Sequence, residues 1–250
     1  MSRQISQEDI RDSVRKRYAR AARQQESVGT ASCCDSSAHV DATRLGYSAE
    51  DISSAPEGAE MGLGCGNPVA LASLQPGEVV VDLGSGGGFD CFLASNRVGP
   101  TGRVIGVDMT PEMVSKARRT ADSKGFDNVD FRLGEIEHLP VADDSVDVIM
   151  SNCVVNLSPD KPGVMRDAFR VLRSGGRLAI SDLLAVGPMP DEVRADLDRY
   201  AECVSGAVSA EELEGWMNDA GFVDVIVAPT GATLDEGPWV APFVIEGRKP

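Results

Sequence analysis

The sequence contains no apolar run that approaches the roughly 20 residues needed to cross a bilayer. Residues 1–25 are polar and charged, without the apolar stretch of a secretory leader. We therefore expect a cytoplasmic protein with no membrane partner. The sequence also contains no basic patch, and its formal net charge is −15. A field of that sign repels polyanions, which excludes nucleic acid as a partner.

Cysteine and histidine follow no familiar metal-binding spacing. There is no Cys-x-x-Cys pair, and His39 and His138 stand at no zinc-ligand spacing. A chain of 250 residues is long enough to bury a full core without cross-links. Because the cytoplasm keeps thiols reduced, the six cysteines indicate chemistry rather than a disulfide framework.

From Gly77 onward, apolar runs alternate with helical patterns, which is typical of an α/β fold with a doubly wound, mostly parallel sheet. Strands are predicted at residues 79–83, 103–108, 129–133, 146–150 and 177–183, with a closing antiparallel pair at 223–227 and 242–246. Thr110 followed by Pro111 predicts one helix start. A capping box from Ser209 to Glu212 predicts another.

The N-terminal part is predicted to be a helix followed by a loop. Residues 6–25 carry one apolar stripe with a spacing of four, which is a helical pattern. Residues 27–57 are rich in Gly, Ser, Ala and Asp, so we expect a long loop there. That loop contains the adjacent pair Cys33 and Cys34.

A glycine loop follows the first predicted strand of the sheet. Dinucleotide folds use G-x-G-x-x-G for a pyrophosphate, but here Phe89 stands where the last glycine is required. Asp82 places a carboxylate just before the loop, which suits the cationic amino acid and sulfonium of S-adenosylmethionine better than two phosphates. We therefore predict S-adenosylmethionine as the ligand, with Asp82, Gly84, Ser85 and Gly86 in contact with it.

Further cofactor contacts are predicted after the next two strands. Asp108 ends the second strand, 24 residues beyond Gly84, where such folds bind both ribose hydroxyls. The alternative, that Asp108 only caps a helix, is weaker because Thr110 is the better cap. After the third strand, Ile136 and Glu137 can enclose an adenine ring. This ordered set is typical of a class I methyltransferase, and a non-catalytic doubly wound domain is the alternative.

The methyl acceptor is expected at the carboxyl ends of the parallel strands. Asn152 and Cys153 follow the fourth strand there. Cys65 lies upstream of the first strand and Cys203 lies after the fifth, so three thiols can converge from distant segments. Cys91, among apolar residues of a predicted helix, is interpreted as a buried structural residue.

With these motifs, the chain closely resembles the arsenite methyltransferases. The resemblance runs from Gly-Leu-Gly-Cys-Gly-Asn-Pro at 62–68, through Asp-Leu-Gly-Ser-Gly and Ser-Asn-Cys-Val-Val-Asn-Leu-Ser-Pro-Asp-Lys, to Glu-Cys at 202–203. It implies a class I methyltransferase (Rossmann-like) fold. It also implies trivalent arsenic bound by Cys65, Cys153 and Cys203. The cofactor contacts it implies are Asp108, Met109, Ile136 and Glu137, and we assign Asn152 to the same set.

The resemblance also suggests how the chain is divided. We expect an N-terminal helix and loop at 1–60, a cofactor-binding core at 61–185, and an arsenic-binding cap with closing strands at 186–250. A monomer is expected.

Arsenic chemistry explains why cysteines are needed. Soft trivalent arsenic selects thiolates, and three sulfurs leave its lone pair free to attack the sulfonium methyl group, without a general base. Methylation oxidises arsenic formally, so electrons must follow. By resemblance, Cys33 or Cys34 is the N-terminal redox cysteine, and glutathione or thioredoxin restores the thiols. Adjacent cysteines cannot easily bond each other, so we expect Cys65 as the partner.

Two other functions remain open at this point. A methyltransferase acting on carbon, nitrogen or oxygen of a small molecule explains the cofactor motifs but not the three cysteine motifs. A non-catalytic, thiol-based metalloid-binding protein explains the cysteines but not the cofactor loop. The sequence leaves open the number of methyl groups added to arsenite or methylarsenite, and whether thiol conjugates or antimony are accepted.

Overall fold

Alternating apolar runs and helical patterns fold into a layered α/β structure. The structure is a computed structural model that describes residues 6–27, 42–232 and 237–250. Its helices are α1 (Gln7–Ser27), α2 (Ala49–Ser54), α3 (Pro68–Ala72), α4 (Phe89–Val98), α5 (Pro111–Lys124), α6 (Lys161–Val171), α7 (Asp191–Arg194), α8 (Leu197–Tyr200) and α9 (Ala210–Ala220). Its strands are β1 (Val79–Leu83), β2 (Arg103–Asp108), β3 (Val129–Leu133), β4 (Val146–Asn152), β5 (Leu172–Ala185), β6 (Val223–Pro229) and β7 (Val240–Arg248). Short 3₁₀ turns lie at Ala42–Leu45 and Val155–Leu157.

The strands form one seven-stranded sheet in the order β3-β2-β1-β4-β5-β7-β6. The strands β1 to β5 run parallel, and β7 runs antiparallel to both β5 and β6. The class I methyltransferase fold and the closing antiparallel pair are thereby confirmed. β5 is longer than the sequence predicts at both ends, because Leu172 pairs with Val146 of β4 and residues 184 and 185 continue the pairing with β7 up to Val240.

Side chains of each central strand alternate between two apolar layers. Val80 packs in the layer that contains α4 and α5, while the next residue, Val81, packs with α6 and α9 on the other face. The strands are buried on both faces and therefore read as continuous apolar runs. Where the runs end in acids, at Asp82 and Asp108, carboxylates reach the carboxyl edge of the sheet.

The two predicted helix starts differ in their capping. Ser209 and Glu212 form a capping box, as the sequence predicts. Thr110 is the N-cap residue of α5, but its side chain makes no capping hydrogen bond. Its backbone N–H instead donates to the carboxylate of Asp108 at 2.8 Å. Asp108 therefore bonds to the start of α5 even though Thr110 is the N-cap residue, and a helix contact and a ligand contact are not mutually exclusive roles for it.

The predicted N-terminal helix is present as α1, and the predicted loop at 27–57 is only partly a loop. Residues 42–45 and α2 are helical, because Ser48 and Asp51 form a capping box and the preceding Tyr47 is buried. Cys33, Cys34 and His39 lie outside the described residues. Each helix within the described ranges is either too short or too polar to cross a membrane.

Candidate active site

A cavity opens at the carboxyl edge of the sheet, between the ends of β1, β2 and β4 and the helix α1. It encloses about 1110 Å³ of space when the open solvent at its mouth is included. Its lining includes every residue that the sequence predicts as a cofactor contact. These residues are Asp82, Gly84, Ser85, Gly86, Asp108, Met109, Ile136, Glu137 and Asn152. Cys153 lines the same cavity.

The glycine loop turns sharply at the floor of this cavity. Gly84 has φ 66° and lies against Val154, where a Cβ atom would overlap the valine side chain. Gly88 has φ 92°, and a Cβ there would come within 2.7 Å of Phe131. Gly88 thus allows the close packing that the third glycine of G-x-G-x-x-G provides in dinucleotide folds, where this chain has Phe89. This role of Gly88 was not predicted from the sequence. The glycine one residue before Phe89 is the signal for it.

Two buried carboxyl groups make one end of the cavity acidic. Burial and the neighbouring charge of Asp90 raise the pKa of Asp82 well above its usual value. Burial raises the pKa of Asp90 to about 6, although hydrogen bonds from Tyr47 and Asn152 oppose this rise. The sequence analysis missed Asp90, which stands in the first turn of α4. Two adjacent buried acids suit a cationic ligand, because a positive charge relieves their repulsion.

Asp108 is held rigidly and still has free acceptor capacity. Its two oxygens accept the N–H groups of Gly86 at 2.9 Å and Thr110 at 2.8 Å. The Thr110 side chain also bonds to this carboxylate, which has about four acceptor positions and so retains about one. Burial raises the pKa of Asp108 despite these bonds. The nearby Ser85 hydroxyl is buried and, among the described residues, has no hydrogen-bond partner. Polar groups of this kind fit a hydroxyl-bearing ligand.

Glu137 lies at the other end of the cavity. Its Oε1 accepts hydrogen bonds from the Ser158 hydroxyl at 2.7 Å and from Arg11 Nη2 at 3.3 Å. Arg11 belongs to α1 and also pairs with Glu135 at 3.4 Å. The N-terminal helix therefore contacts the predicted adenine site. Ile136 beside Glu137 is buried.

The three candidate arsenic ligands belong to one buried cluster next to this cavity, although 138 positions separate the first from the last. The sulfur atoms of Cys65 and Cys153 lie within 4.8 Å of each other, whereas Cys203 does not join them in a set of that spacing. Cys65 and Cys153 form a disulfide, with their Cα atoms 5.8 Å apart. The Cys203 thiol donates a hydrogen bond to the carbonyl oxygen of Cys153 at 2.8 Å. The sequence predicts three separate thiolates, and the structure holds two of them in the oxidised form. Oxidation is possible because the carboxyl end of β4 faces the loop that carries Cys65.

Cys153 and Cys203 both adopt left-handed backbone conformations, with φ 57° and 65°. Residues with a Cβ atom avoid this region, and such strain often occurs at functional sites. The turn at Cys153 follows the end of β4 at Asn152. Side chains of consecutive strand residues point to opposite faces of a sheet, but after this turn Cys153 lines the same cavity as Asn152.

Asp182 is a neighbour of these cysteines that the sequence analysis did not identify. A carboxylate oxygen of Asp182 and the sulfur atoms of Cys65 and Cys153 lie within 4.8 Å of one another. Burial raises the pKa of Asp182 to about 6, opposed by hydrogen bonds from backbone N–H groups and by the charge of Lys161. The signal was present, because Asp182 lies near the carboxyl end of a buried strand as Asp82 and Asp108 do.

Lys161 is a second unpredicted charge near the cysteines. It is buried, and its ammonium group donates to the Ser158 carbonyl at 2.9 Å and lies 3.4 Å from the Tyr200 hydroxyl. Burial lowers the pKa of Lys161 to about 8, with Asp182 and Cys203 among the groups whose charges oppose this. Cys91, by contrast, is fully buried and donates to Asp82 at 3.2 Å, in agreement with a structural role.

The sequence and the fold of the chain match a known class of enzyme. Residues 74–221 match a family model described as a methyltransferase domain. A solved phosphoethanolamine N-methyltransferase 2 of Haemonchus contortus, in complex with S-adenosylhomocysteine, shares the fold with a TM-score of 0.64. It is 15% identical in sequence and covers 75% of this chain and 53% of that one. The protein is a class I methyltransferase that uses S-adenosylmethionine.

The cysteines agree with a narrower family. The chain is 48% identical to an arsenite methyltransferase of Halobacterium salinarum over 97% of its own length and 67% of the relative's. It is 39% identical to that of Aquipseudomonas alcaligenes, over 86% of this chain and 62% of the relative. A solved arsenic(III) S-adenosylmethionine methyltransferase of Chlamydomonas reinhardtii is 32% identical, with a TM-score of 0.61, covering 84% of this chain and 72% of that one. The chain belongs to the arsenite methyltransferase family, and it spans about two thirds of the length of these two curated relatives.

Proposed function

We propose that this protein transfers a methyl group from S-adenosylmethionine to trivalent arsenic held by the sulfur atoms of Cys65, Cys153 and Cys203. The observation that carries the proposal is that these three residues lie in one buried cluster beside a cavity with an acidic, glycine-lined end, with the sulfur atoms of Cys65 and Cys153 in direct contact. Arsenite, which can bind all three sulfur atoms, is the first acceptor. Methylarsenite, whose methyl group already occupies one of its three bonds, binds two of them. Either can arrive free or as a thiol conjugate. Thiol protons leave with the displaced hydroxide as water.

The donor side of the cavity binds and orients the cofactor. Asp108 accepts hydrogen bonds from ribose hydroxyls with its remaining acceptor capacity. Asp82 and Asp90 face the cationic amino acid end, where a positive charge relieves their mutual repulsion. Met109, Ile136 and Glu137 enclose the adenine. When bound, S-adenosylmethionine supplies an electrophilic methyl group on a sulfonium.

The acceptor side fixes the nucleophile. Trivalent arsenic is soft and prefers thiolates to oxygen ligands. Three sulfur ligands occupy three positions of its coordination shell and leave the lone pair as the nucleophile. The protein therefore contributes mainly position and orientation, which in such reactions supplies up to about 7–11 kcal/mol. No side chain has to remove a proton from the acceptor.

The Cys65–Cys153 disulfide fits the electron balance of this reaction. Methyl transfer uses the arsenic lone pair and leaves arsenic formally pentavalent. Two thiolates that become one disulfide release two electrons, which return arsenic to the trivalent state. A thiol reductant, glutathione or thioredoxin, then restores the thiols by exchange. Cys33 and Cys34 are proposed as relay thiols in that exchange, with Cys65 as their partner.

This cycle implies a reducing compartment, so we propose that the protein acts in the cytoplasm, as a monomer. The disulfide is then a step in turnover rather than a permanent cross-link.

Purified protein with arsenite, labelled S-adenosylmethionine and glutathione tests the function. Chromatography with element-specific arsenic detection is expected to show methylated arsenicals and to count the methyl groups. Formation of methylated small molecules without methylated arsenic would indicate a carbon, nitrogen or oxygen acceptor. Arsenite binding with no consumption of S-adenosylmethionine would indicate a binding protein.

Single cysteine variants test the ligand set. We expect Cys153→Ser and Cys203→Ser to lose arsenite binding and methyl transfer, because an alcohol is a hard and poor ligand for arsenic. Cofactor binding, measured by calorimetry, is expected to persist. Cys91→Ser is the matched control, because that buried cysteine can keep its donor to Asp82 and should still transfer methyl groups. Normal turnover in either ligand variant contradicts the proposal.

A further inference from the structure

The side-chain amide of Asn152 is fully engaged with protein atoms. Its Oδ1 accepts the N–H groups of Cys65 at 2.9 Å and Gly66 at 3.3 Å. Its Nδ2 lies within hydrogen-bond distance of three acceptors, the Gly66 carbonyl at 2.9 Å, the Tyr47 hydroxyl at 3.1 Å and the Asp90 carboxylate at 3.2 Å, so its two N–H groups are shared among them. A primary amide has two lone pairs on oxygen and two N–H donors. No donor or acceptor of this amide is therefore left over for a cofactor, although the residue lines the cavity.

The loop around Cys65 is shaped to fit this amide. A Cβ atom at Gly64 would come within 2.6 Å of Asn152 Nδ2. A Cβ at Gly66 would come within 2.6 Å of the Ser181 hydroxyl oxygen. Both distances are shorter than real side chains allow, so the close approach requires glycine on each side of Cys65. The Gly-Cys-Gly sequence is thus explained by contact with the ends of β4 and β5.

A second pair of residues fixes the orientation of the amide. Asp90 accepts hydrogen bonds from the Tyr47 hydroxyl at 2.6 Å and from Asn152 Nδ2 at 3.2 Å. A carboxylate in this position favours the NH₂ end of the amide, so the amide oxygen faces Cys65. Asp90 also belongs to the acidic end of the cavity. The contacts of Asn152 thus run from the cofactor side to the cysteine loop.

We propose that Asn152 is a positioning residue that holds the backbone of Cys65 in place, so that its sulfur faces Cys153. Asn152 precedes Cys153 in the chain, so one short segment carries one sulfur and anchors the loop that carries the other. This role deepens the proposed arsenic site and rests on it for its biological purpose. The pairing of the two thiols is a property that can be measured without arsenic.

The test is the equilibrium between the reduced pair and glutathione. Two protein thiols and one glutathione disulfide give the Cys65–Cys153 disulfide and two molecules of glutathione, so electrons and protons balance. Asn152→Ala releases the loop, and we expect its equilibrium constant for disulfide formation to fall by about tenfold or more, since several hydrogen bonds are lost. Arsenite affinity should fall in parallel, and by more than the affinity for S-adenosylmethionine, which Asn152 influences only through its hydrogen bond to Asp90.

Two further variants keep the result interpretable if Asn152→Ala folds poorly. Asn152→Gln keeps an amide with the same donors and acceptors on a side chain one methylene longer and should lie between wild type and Asn152→Ala. Asn128→Ala is the matched control, because Asn128 is also bonded to backbone carbonyls, at Gly99 and Ser95 near the far end of α4. It should lower the melting temperature without changing the thiol equilibrium.

The outcomes separate the two proposals. If the Asn152 variants leave the equilibrium constant for disulfide formation unchanged, the positioning role is overturned. The same holds if they bind S-adenosylmethionine about tenfold more weakly while that equilibrium constant stays the same. Equal shifts in Asn128→Ala also overturn it, because the effect would then be general destabilisation. If wild-type protein fails to methylate arsenite while the Asn152 variants shift the equilibrium, the proposed function fails and the positioning role holds.

Discussion

Replacing Asp182 by asparagine is expected to stabilise the ligand-free, reduced protein at neutral pH. Burial raises the pKa of Asp182 from its usual 3.8 to about 6. The folded state therefore binds this proton more tightly than the unfolded chain does. Between about pH 4 and pH 6, stability falls as the pH rises, and the loss is complete above the folded-state pKa. The shift corresponds to about 3 kcal/mol.

Asparagine resembles the protonated form of the carboxyl group and removes this loss. Its oxygen can still accept from Leu183 N at 2.8 Å and from Asn156 Nδ2 at 2.9 Å, as Asp182 Oδ1 does. The carboxylate also accepts from the backbone N–H groups of Asn156, at a long 3.4 Å, and of Val155. The attraction between Lys161 and the Asp182 carboxylate lowers the pKa of Asp182 and is already included in its value of about 6. We expect a gain of about 1.5 kcal/mol at pH 5 that grows to about 3 kcal/mol at pH 7 and above.

Urea unfolding at pH 5, 6, 7 and 8, with the thiols kept reduced by a phosphine, measures this gain. With a slope of about 1–3 kcal/mol/M, the midpoint of Asp182→Asn should rise by about 1 M or more at pH 8. Asp122→Asn, on the exposed side of α5, is the control and should change little. A gain that is absent at pH 8, or that is equal at every pH, refutes the reasoning that a buried charge destabilises this site.

Two other measurements test the cofactor side. Calorimetry should show S-adenosylmethionine binding about tenfold more weakly at pH 5 than at pH 8. The pKa of Asp90 is about 6, so at pH 5 this carboxyl group is protonated in about nine tenths of the molecules. A pH-independent affinity contradicts that role. Gly84→Ala should weaken cofactor binding and cost more stability than Gly125→Ala, which has a similar φ, 74° against 66°, but open space around it. Equal costs in chemical denaturation would mean that contact with Val154 is unimportant.

The sequence predicts those parts of the site that depend on the parallel sheet. Apolar strands that end in acids place Asp82 and Asp108 at one edge, because parallel strands all point the same way. Both residues line the cavity, together with Ile136 and Glu137 after the third strand. The order of strands and acids along the sequence was sufficient to predict these residues, because the fold repeats a strand followed by a helix and every strand ends at the same edge of the sheet.

The remaining features depend on contacts between distant segments. The disulfide joins residues 88 positions apart, and nothing local distinguishes Cys65 from Cys203 as the partner of Cys153. The sequence predicts Asn152 as a cofactor contact because it follows a strand, whereas its hydrogen bonds are set by how closely the Gly-Cys-Gly loop packs. Asp182 could have been identified from its place on a buried strand.

The sheet order also constrains when the sheet is completed during synthesis. β6 leaves the ribosome before β7, yet β7 lies between β5 and β6. β6 therefore has no neighbour in the sheet until residues 240–248 emerge. The residues that line the cavity all precede residue 160. A nascent chain can thus form its cofactor cavity before the last edge of its sheet is in place.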